Sequence, residues 1–436
     1  MPGPYVQSLN GPVPLVLPPS WTILTVAAFQ EHRVRETAVT LAKRAMRQPI
    51  GAPPLENQLF PGDKVSIIVE DLTRASPKKI ILKMLLESLS AMGIRRKDIS
   101  IVIALGTHRP LSASDLEKAF GRETVTTYAF YNHDCRAEDL VAVGQLASGI
   151  TVKINKRVAE ADYRIGIGSI FPHPLNGFGG GGKILFPGVA DFDSIYRHHL
   201  QHSFRGGAFL GNIEGNAFYE EVTAMARAGR LDFIINSVLD HNDRLHEVVC
   251  GNPVHAHRTG ADICRRIISQ PFNGLSDVTI ISAFPYAEGP QIMKPLAPAN
   301  MITRPGGCVI LAADCRSPLP GCYFEACEQF RAEHAGRLRQ KVLEAFGSNR
   351  PILRDASPEL NMSMAQVMLA LDNHDVILVT DGMSPDQVER LGFAAAADLD
   401  DAIARCTDRY GRPTANIVPS GGAILPVLPA SLPTGC

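Results

Sequence analysis

The hydrophobic positions fall into short continuous runs separated by polar, turn-rich segments. Seven runs are rich in valine and isoleucine: KVSIIVED (64–71), DISIVIALGTH (98–108), DYRIGIGSI (162–170), DFIINSVLD (232–240), DVTIISAFP (277–285), GGCVILAAD (306–314) and HDVILVTDG (374–382). Continuous apolar character, rather than strict alternation, predicts strands buried on both faces. Helical stretches lie between them. KKIILKMLLESLSAM (78–92) is predicted as a helix stopped by Gly93. A further helix is predicted beyond Pro110 with Ser112 or Ser114 as N-cap. Others are expected over Asn212–Gly229 and, as a charged surface helix, over Ala27–Met46. About the first 25 residues are proline-rich and read as extended. Strands alternating with helices give the fold class α/β, two domains with mainly parallel sheets. The turn-rich QPFNGLSD near 270–276 sets the division, 1–273 and 274–436.

Ligands of such sheets sit outside the carboxyl ends of the strands. The polar constellations obey that rule. Asp71 and Arg74, His108, His173, and Gln291 with Lys294 each follow a predicted strand.

Composition narrows the function. At 436 residues, two domains are the default. A hydrophobic fraction of 45% and a charged fraction of 20% are those of a soluble globular protein. The net charge of −1, with no basic tract, argues against nucleic acid or membrane partners. No apolar run has the length of a membrane span, and the N-terminus lacks a signal-peptide layout. Nine scattered cysteines without C-x-x-C read as reduced thiols, so a cytoplasmic protein is expected. Cys322 and Cys327, the closest pair, read as structural.

The densest chemistry lies in FPHPLNGFGGGGKILFPGVADFDSIYRHH, 171–199. Glycines at 177 and 179–182 are conformationally expensive to order, which implies a close backbone approach. Gly177, Gly182 and Lys183 match G-x-x-x-x-G-K, but Ile184 stands where a P-loop has Ser or Thr. Pro187 and Gly188 also discourage the helix a P-loop opens. Nucleotide triphosphate chemistry is disfavoured, while backbone binding of an anionic cofactor stays open beside a plain surface loop. His108 and His173, at two strand ends, are each as readily structural as catalytic. Facing each other across a substrate, they would supply acid and base from opposite sides, as a racemase or epimerase requires. His198 and His199 do not share a helix face. There is no H-E-x-x-H or other zinc spacing, so a three-ligand protein site is weakly supported. A metal held mostly by an organic cofactor needs one histidine. Arg74, and Lys294 with Gln291, offer groups for a carboxylate, or surface salt bridges. Asp71 serves a site or caps the following helix.

Taken in order, D-L-T-R-A-S-P from Asp71, G-T-H-R-P from Gly106, P-H-P-L-N-G-F-G-G-G-G-K from Pro172, R-H-H from Arg197 and Q-I-M-K from Gln291 resemble the nickel-pincer lactate racemase family. The resemblance implies an active-site cleft between two α/β domains. The second domain closes the cleft, and its last segment crosses back. It implies a pyridinium-3,5-bisthiocarboxylic acid mononucleotide holding nickel, the nickel pincer nucleotide. Lys183 would be its covalent attachment point and His199 the metal ligand, with no role implied for His198. His108 and His173 match the acid/base pair. Asp71, Leu72, Thr73 and Arg74 match a cofactor and substrate contact, and Gln291 and Lys294 match residues facing both. Tyr286 is placed with the substrate residues.

The implied reaction is racemisation or epimerisation of a 2-hydroxy acid by proton-coupled hydride transfer through a 2-keto acid. This avoids a carbanion beside an ionised carboxylate. Proteins that synthesise the cofactor are implied as partners. The stretch Ala283–Pro290 departs from the family's pattern, and the only tryptophan is Trp21. A larger or more polar acid than lactate therefore fits the sequence as well as lactate. Two other readings stand: a paralogue that carries the cofactor without catalysis, and a cofactor-free two-base racemase. The intact histidine pair opposes the first. The second leaves Lys183 and His199 unused.

Overall fold

The computed structural model describes residues 3–28, 36–73, 76–317 and 319–429. The chain forms two compact units, one of residues 31–267 and one of residues 268–436 together with 1–30. In chain order the principal strands are β1 (Thr22–Val26), β2 (Val65–Glu70), β3 (Ile99–Ala104), β4 (Ala129–Asn132), β5 (Tyr163–Ile170), β6 (Phe233–Leu239), β7 (Leu245–Gly251), β8 (Ser276–Ser282), β9 (Thr303–Ala312), β10 (Asp375–Val379), β11 (Ala394–Ala396) and β12 (Thr414–Val418).

The unit of residues 31–267 is built on a sheet of order β7-β6-β5-β2-β3-β4. All its pairings are parallel except β6 with β7. β5 and β6 are buried at every position, as their uninterrupted apolar runs require. Helices α1 (Ala38–Arg47) and α2 (Lys78–Ala91) cover one face. Leu41 and Ala45 of α1, and Ile81, Leu82, Leu85 and Leu89 of α2, meet Ile67, Ile101 and Ile165 of the sheet in one core. The helix expected from Ala27 begins only at Ala38, where the Thr37 side chain accepts from the Thr40 N–H. Residues 29–35 lie outside the described residues. α3 (Ala113–Phe120) starts from Ser112, in a capping box with Asp115.

The other unit holds a wholly parallel sheet of order β11-β10-β9-β8-β12-β1. Its edge strand β1 comes from the proline-rich N-terminal segment and pairs with β12. The last described strand, Leu425–Val427, pairs with Ser269–Pro271 inside this same unit. Trp21 is buried here, its indole N–H donating to Thr407 Oγ1 at 2.9 Å. The eight described cysteines are free thiols. No helix among the described residues is long and apolar enough to cross a membrane.

Candidate functional site

β2 and β3 run parallel with Glu70 opposite Ala104, so the residues that follow emerge side by side. Asp71 follows β2. His108 follows β3 after a turn in which Gly106 has φ +53° and the His108 N–H donates to Leu105 O. His108 Nδ1 lies 2.6 Å from Asp71 Oδ2. Asp71 Oδ1 accepts from the Thr73 N–H at 2.9 Å and the Thr73 hydroxyl at 2.6 Å. Lys78 Nζ donates to the Asp71 carbonyl at 2.5 Å. Burial pushes the Asp71 carboxyl upward, but the bonds from His108 and Thr73 outweigh it and hold the group well below the usual carboxylate range. Asp71 is thus a carboxylate that keeps the His108 proton on Nδ1 and leaves a lone pair on Nε2. It does not cap α2, whose N-cap is Pro77. Leu72 is 40% exposed. Arg74 lies outside the described residues.

β5 ends beside β2, and its continuation turns back as a short hairpin pairing His173 with Gly177. His173 Nδ1 accepts from the N–H groups of Leu175 (3.2 Å) and Asn176 (3.1 Å). A neutral ring so held carries its proton on Nε2, the reverse of His108. Lys183 Nζ lies 3.3 Å from that Nε2.

The glycine run does approach something closely, but that something is protein. A Cβ on Gly177 (φ +75°) would lie 2.1 Å from Asn212 O, and one on Gly181 (φ +58°) 2.6 Å from the His257 ring. The Gly179 N–H donates to Phe171 O and the Gly181 N–H to Asn236 Oδ1, both at 2.8 Å. The loop is therefore a packed support for Lys183 rather than the open backbone cradle that anion binding would require, and only a turn of 3₁₀ helix, Gly181–Ile184, follows.

α4 (Phe192–His202), capped by Asp191, carries His198 and His199, and packs on α5 (Ala217–Ala228). His199 Nδ1 donates to Ile195 O at 2.8 Å, so its lone pair is on Nε2. Burial, then the Lys183 charge, push the ring's pKa down to about 3, so it is a neutral donor throughout the physiological range. Phe218 of α5 is the shared neighbour. Its ring centre lies 5.1 Å from the His199 ring, 5.6 Å from Lys183 Nζ and 6.5 Å from the His173 ring. His198 is wholly buried between Phe186 and Phe218, and burial pushes its pKa far down. Behind the glycine loop, α6 (His255–Ile268) supplies His257, whose Nε2 donates to Gly179 O at 2.9 Å.

The other unit presents its own group after β8. Tyr286 is buried, and Lys294 Nζ lies 4.9 Å from its ring centre. The Gln291 amide donates to Glu359, in the first turn of α7 (Pro358–Asn373), while Gln291 Oε1 is buried without a partner among the described residues. Of the residues expected in a site, the structure thus joins Asp71, Thr73 and His108. It gathers His173, Lys183 and His199 around Phe218, and it pairs Tyr286 with Lys294.

The family model described as the lactate racemase N-terminal domain matches residues 10–210, and that described as the lactate racemase C-terminal domain matches residues 286–425. The chain belongs to the lactate racemase family. A lactate racemase of Thermoanaerobacterium thermosaccharolyticum is 27% identical over 402 residues, covering 90% of this chain and 92% of that protein. One of Lactiplantibacillus plantarum is 28% identical over 409 residues, covering 92% and 94%. The structure of the lactate racemase apoprotein from T. thermosaccharolyticum matches with a TM-score of 0.84 at 25% identity, over 97% of this chain and 99% of that one. The chain is accordingly an isomerase of the racemase kind.

Sequence reading overlooked two features of this lactate racemase family member. Phe218 sits in an ordinary amphipathic helix, and nothing in its local pattern marks it. The second was visible. His198 and His202 are four residues apart on α4, one turn, which is a metal-ligand spacing. With Glu221 of α5 they place three ligand atoms within 4.8 Å of one another. The expectation of no zinc-like spacing is corrected on that observation.

Proposed function

We propose that this chain racemises or epimerises a 2-hydroxy acid, lactate or a larger and more polar relative, using the nickel pincer nucleotide. The observation that carries the reading is that two histidines are held at Nδ1 by opposite kinds of partner, a carboxylate for His108 and two backbone N–H groups for His173. His108 presents a lone pair on Nε2, because Asp71 holds its Nδ1–H. In the neutral His173 ring the proton falls to Nε2, beside Lys183 Nζ, because two backbone N–H groups occupy its Nδ1. They follow β3 and β5, which flank β2. Two strand spacings separate those ends by roughly 10 Å, room for a small acid between them. One ring is ready to take the hydroxyl proton and the other to return one. Their proton states exchange in a turnover, which readies the pair for the opposite enantiomer. Acid–base assistance of this kind contributes about 10²–10⁴-fold.

The residues fit the cofactor. His199 offers a single neutral imidazole lone pair on Nε2, which suits a metal carried largely by an organic ligand. Lys183, braced by the glycine loop, offers an amine to an arm of the nucleotide. When bound, the group supplies the hydride acceptor that lets the α-carbon invert through a planar 2-keto acid. Asp71 and Thr73 keep His108 oriented, and Lys294, Gln291 and Arg74 are read as holding the substrate carboxylate and oxygen.

The test is turnover of substrate deuterated at the α-carbon by the cofactor-loaded enzyme. Retention of deuterium in both enantiomers supports the hydride route. Washout into solvent would favour direct two-base proton abstraction.

A further inference from the structure

His198, His202 and Glu221 form a second cluster that the reaction does not use. His198 and His202 are one turn apart on α4, and Glu221 reaches across from α5. Glu221 Oε2 lies 2.8 Å from His202 Nε2 and 3.9 Å from His198 Nε2. The side chains are 0%, 13% and 8% exposed for His198, His202 and Glu221. The other carboxylate oxygen is already oriented, since Oε1 accepts from the Ala147 N–H at 2.6 Å. His198 is poorly satisfied by protein alone. Among the described residues its Nδ1 has no partner, and its Nε2 hydrogen-bonds the Phe218 carbonyl alone, at 3.3 Å. The nitrogen that faces Glu221, Nε2, is thus held by the protein through one long bond.

We propose that His198, His202 and Glu221 bind a divalent transition ion of the zinc class, at a site separate from the His199 ligand position. In a tetrahedral zinc site with bonds of about 2.0–2.1 Å, neighbouring donor atoms stand roughly 3.3 Å apart. The 2.8 and 3.9 Å separations bracket that value, so small side-chain shifts complete the set. Two imidazoles and a carboxylate suit Zn²⁺ or Co²⁺, with solvent as a fourth ligand. The Ala147 N–H is the outer partner that orients a ligating carboxylate. His199 belongs to a different set: its Nδ1 is bonded to Ile195 O, and its ring meets His198 edge-on at 5.5 Å between centres. The ion ties α4 to α5, and so fixes the helix that presents His199 against the helix that carries Phe218. Its role is positioning.

The test needs no organic cofactor and no turnover. Full-length protein is stripped with chelator and titrated with Co²⁺ and with Zn²⁺, following the visible d–d bands of tetrahedral Co²⁺ and bound zinc after gel filtration. The expected result is one ion per chain, lost or weakened at least about tenfold in both His202→Gln and Glu221→Gln, and kept in His199→Ala. Circular dichroism confirms that the variants are folded; Glu221→Gln stands in should His202→Gln fail to fold. No stoichiometric binding by the wild type, binding undiminished in folded His202→Gln or Glu221→Gln, or binding lost in His199→Ala would each overturn the proposal.

Discussion

His108 Nδ1 stands 2.6 Å from Asp71 Oδ2, so a buried carboxylate decides which nitrogen of that imidazole carries the proton. Asp71→Asn keeps the shape and removes the charge. The expected outcome is a fall in kcat of about 10- to 100-fold with a smaller change in KM. Steady-state kinetics check it. An unchanged kcat would mean that Asp71 serves only the Thr73 turn.

Lys183 Nζ lies 3.3 Å from His173 Nε2. Attachment of the cofactor through Lys183 predicts a mass increase in the loaded wild type that is absent in Lys183→Ala, read by intact-protein mass spectrometry. An adduct that persists in the variant on another lysine would refute the placement. His199→Ala is expected to lower nickel retention, measured by elemental analysis after gel filtration.

Much of the scaffold was legible in the sequence, and the reason is physical. Runs such as VSIIVE and YRIGIGSI lie in strands buried at nearly every position, so their composition reports their environment directly. The edge strand β1 was not legible, because TILTV is exposed or half-buried throughout and is ordered by pairing with β12, 392 positions on from Thr22 to Thr414. The partnership of Asp71 with His108 was hidden for a similar reason. It depends on β2 and β3 being neighbours, which no local pattern states. The glycine run was read correctly as a close approach, but two of its partners, Asn212 and His257, come from segments further along the chain. The histidine pair one turn apart on α4 was legible, and attention to adjacent His198 and His199 obscured it.

His257 gives a pH dependence with a definite sign. Burial pushes its pKa down to about 4, from an ordinary value near 6.5. Between those values the unfolded chain binds a proton that the folded chain does not. Its contribution to stability is therefore complete above about pH 6.5 and is lost as pH falls toward 4. One such proton gives a slope of at most about 1.4 kcal/mol per pH unit. His257→Gln retains an amide donor for Gly179 O but does not titrate. Denaturant unfolding across this window should show a shallower slope in the variant; equal slopes would contradict the assignment.

Gly181 has φ +58°, and a Cβ there would meet the His257 ring at 2.6 Å. Gly181→Ala is expected to destabilise the protein by about 1–3 kcal/mol through backbone strain and crowding. Thermal or denaturant unfolding checks it, and a neutral result would show that the loop adapts.

The central claim is that His108 and His173 act as a proton pair on a 2-hydroxy acid. The most direct measurement is a chiral assay of cofactor-loaded protein against lactate, malate, 2-hydroxyglutarate, phenyllactate, glycerate and aldonates, beside His108→Ala and His173→Ala loaded in the same way. The account predicts interconversion at C2 of at least one acid, abolished in both variants while nickel and cofactor remain bound. Turnover that survives in either variant, or no turnover of any of these acids by fully loaded wild type, would contradict it.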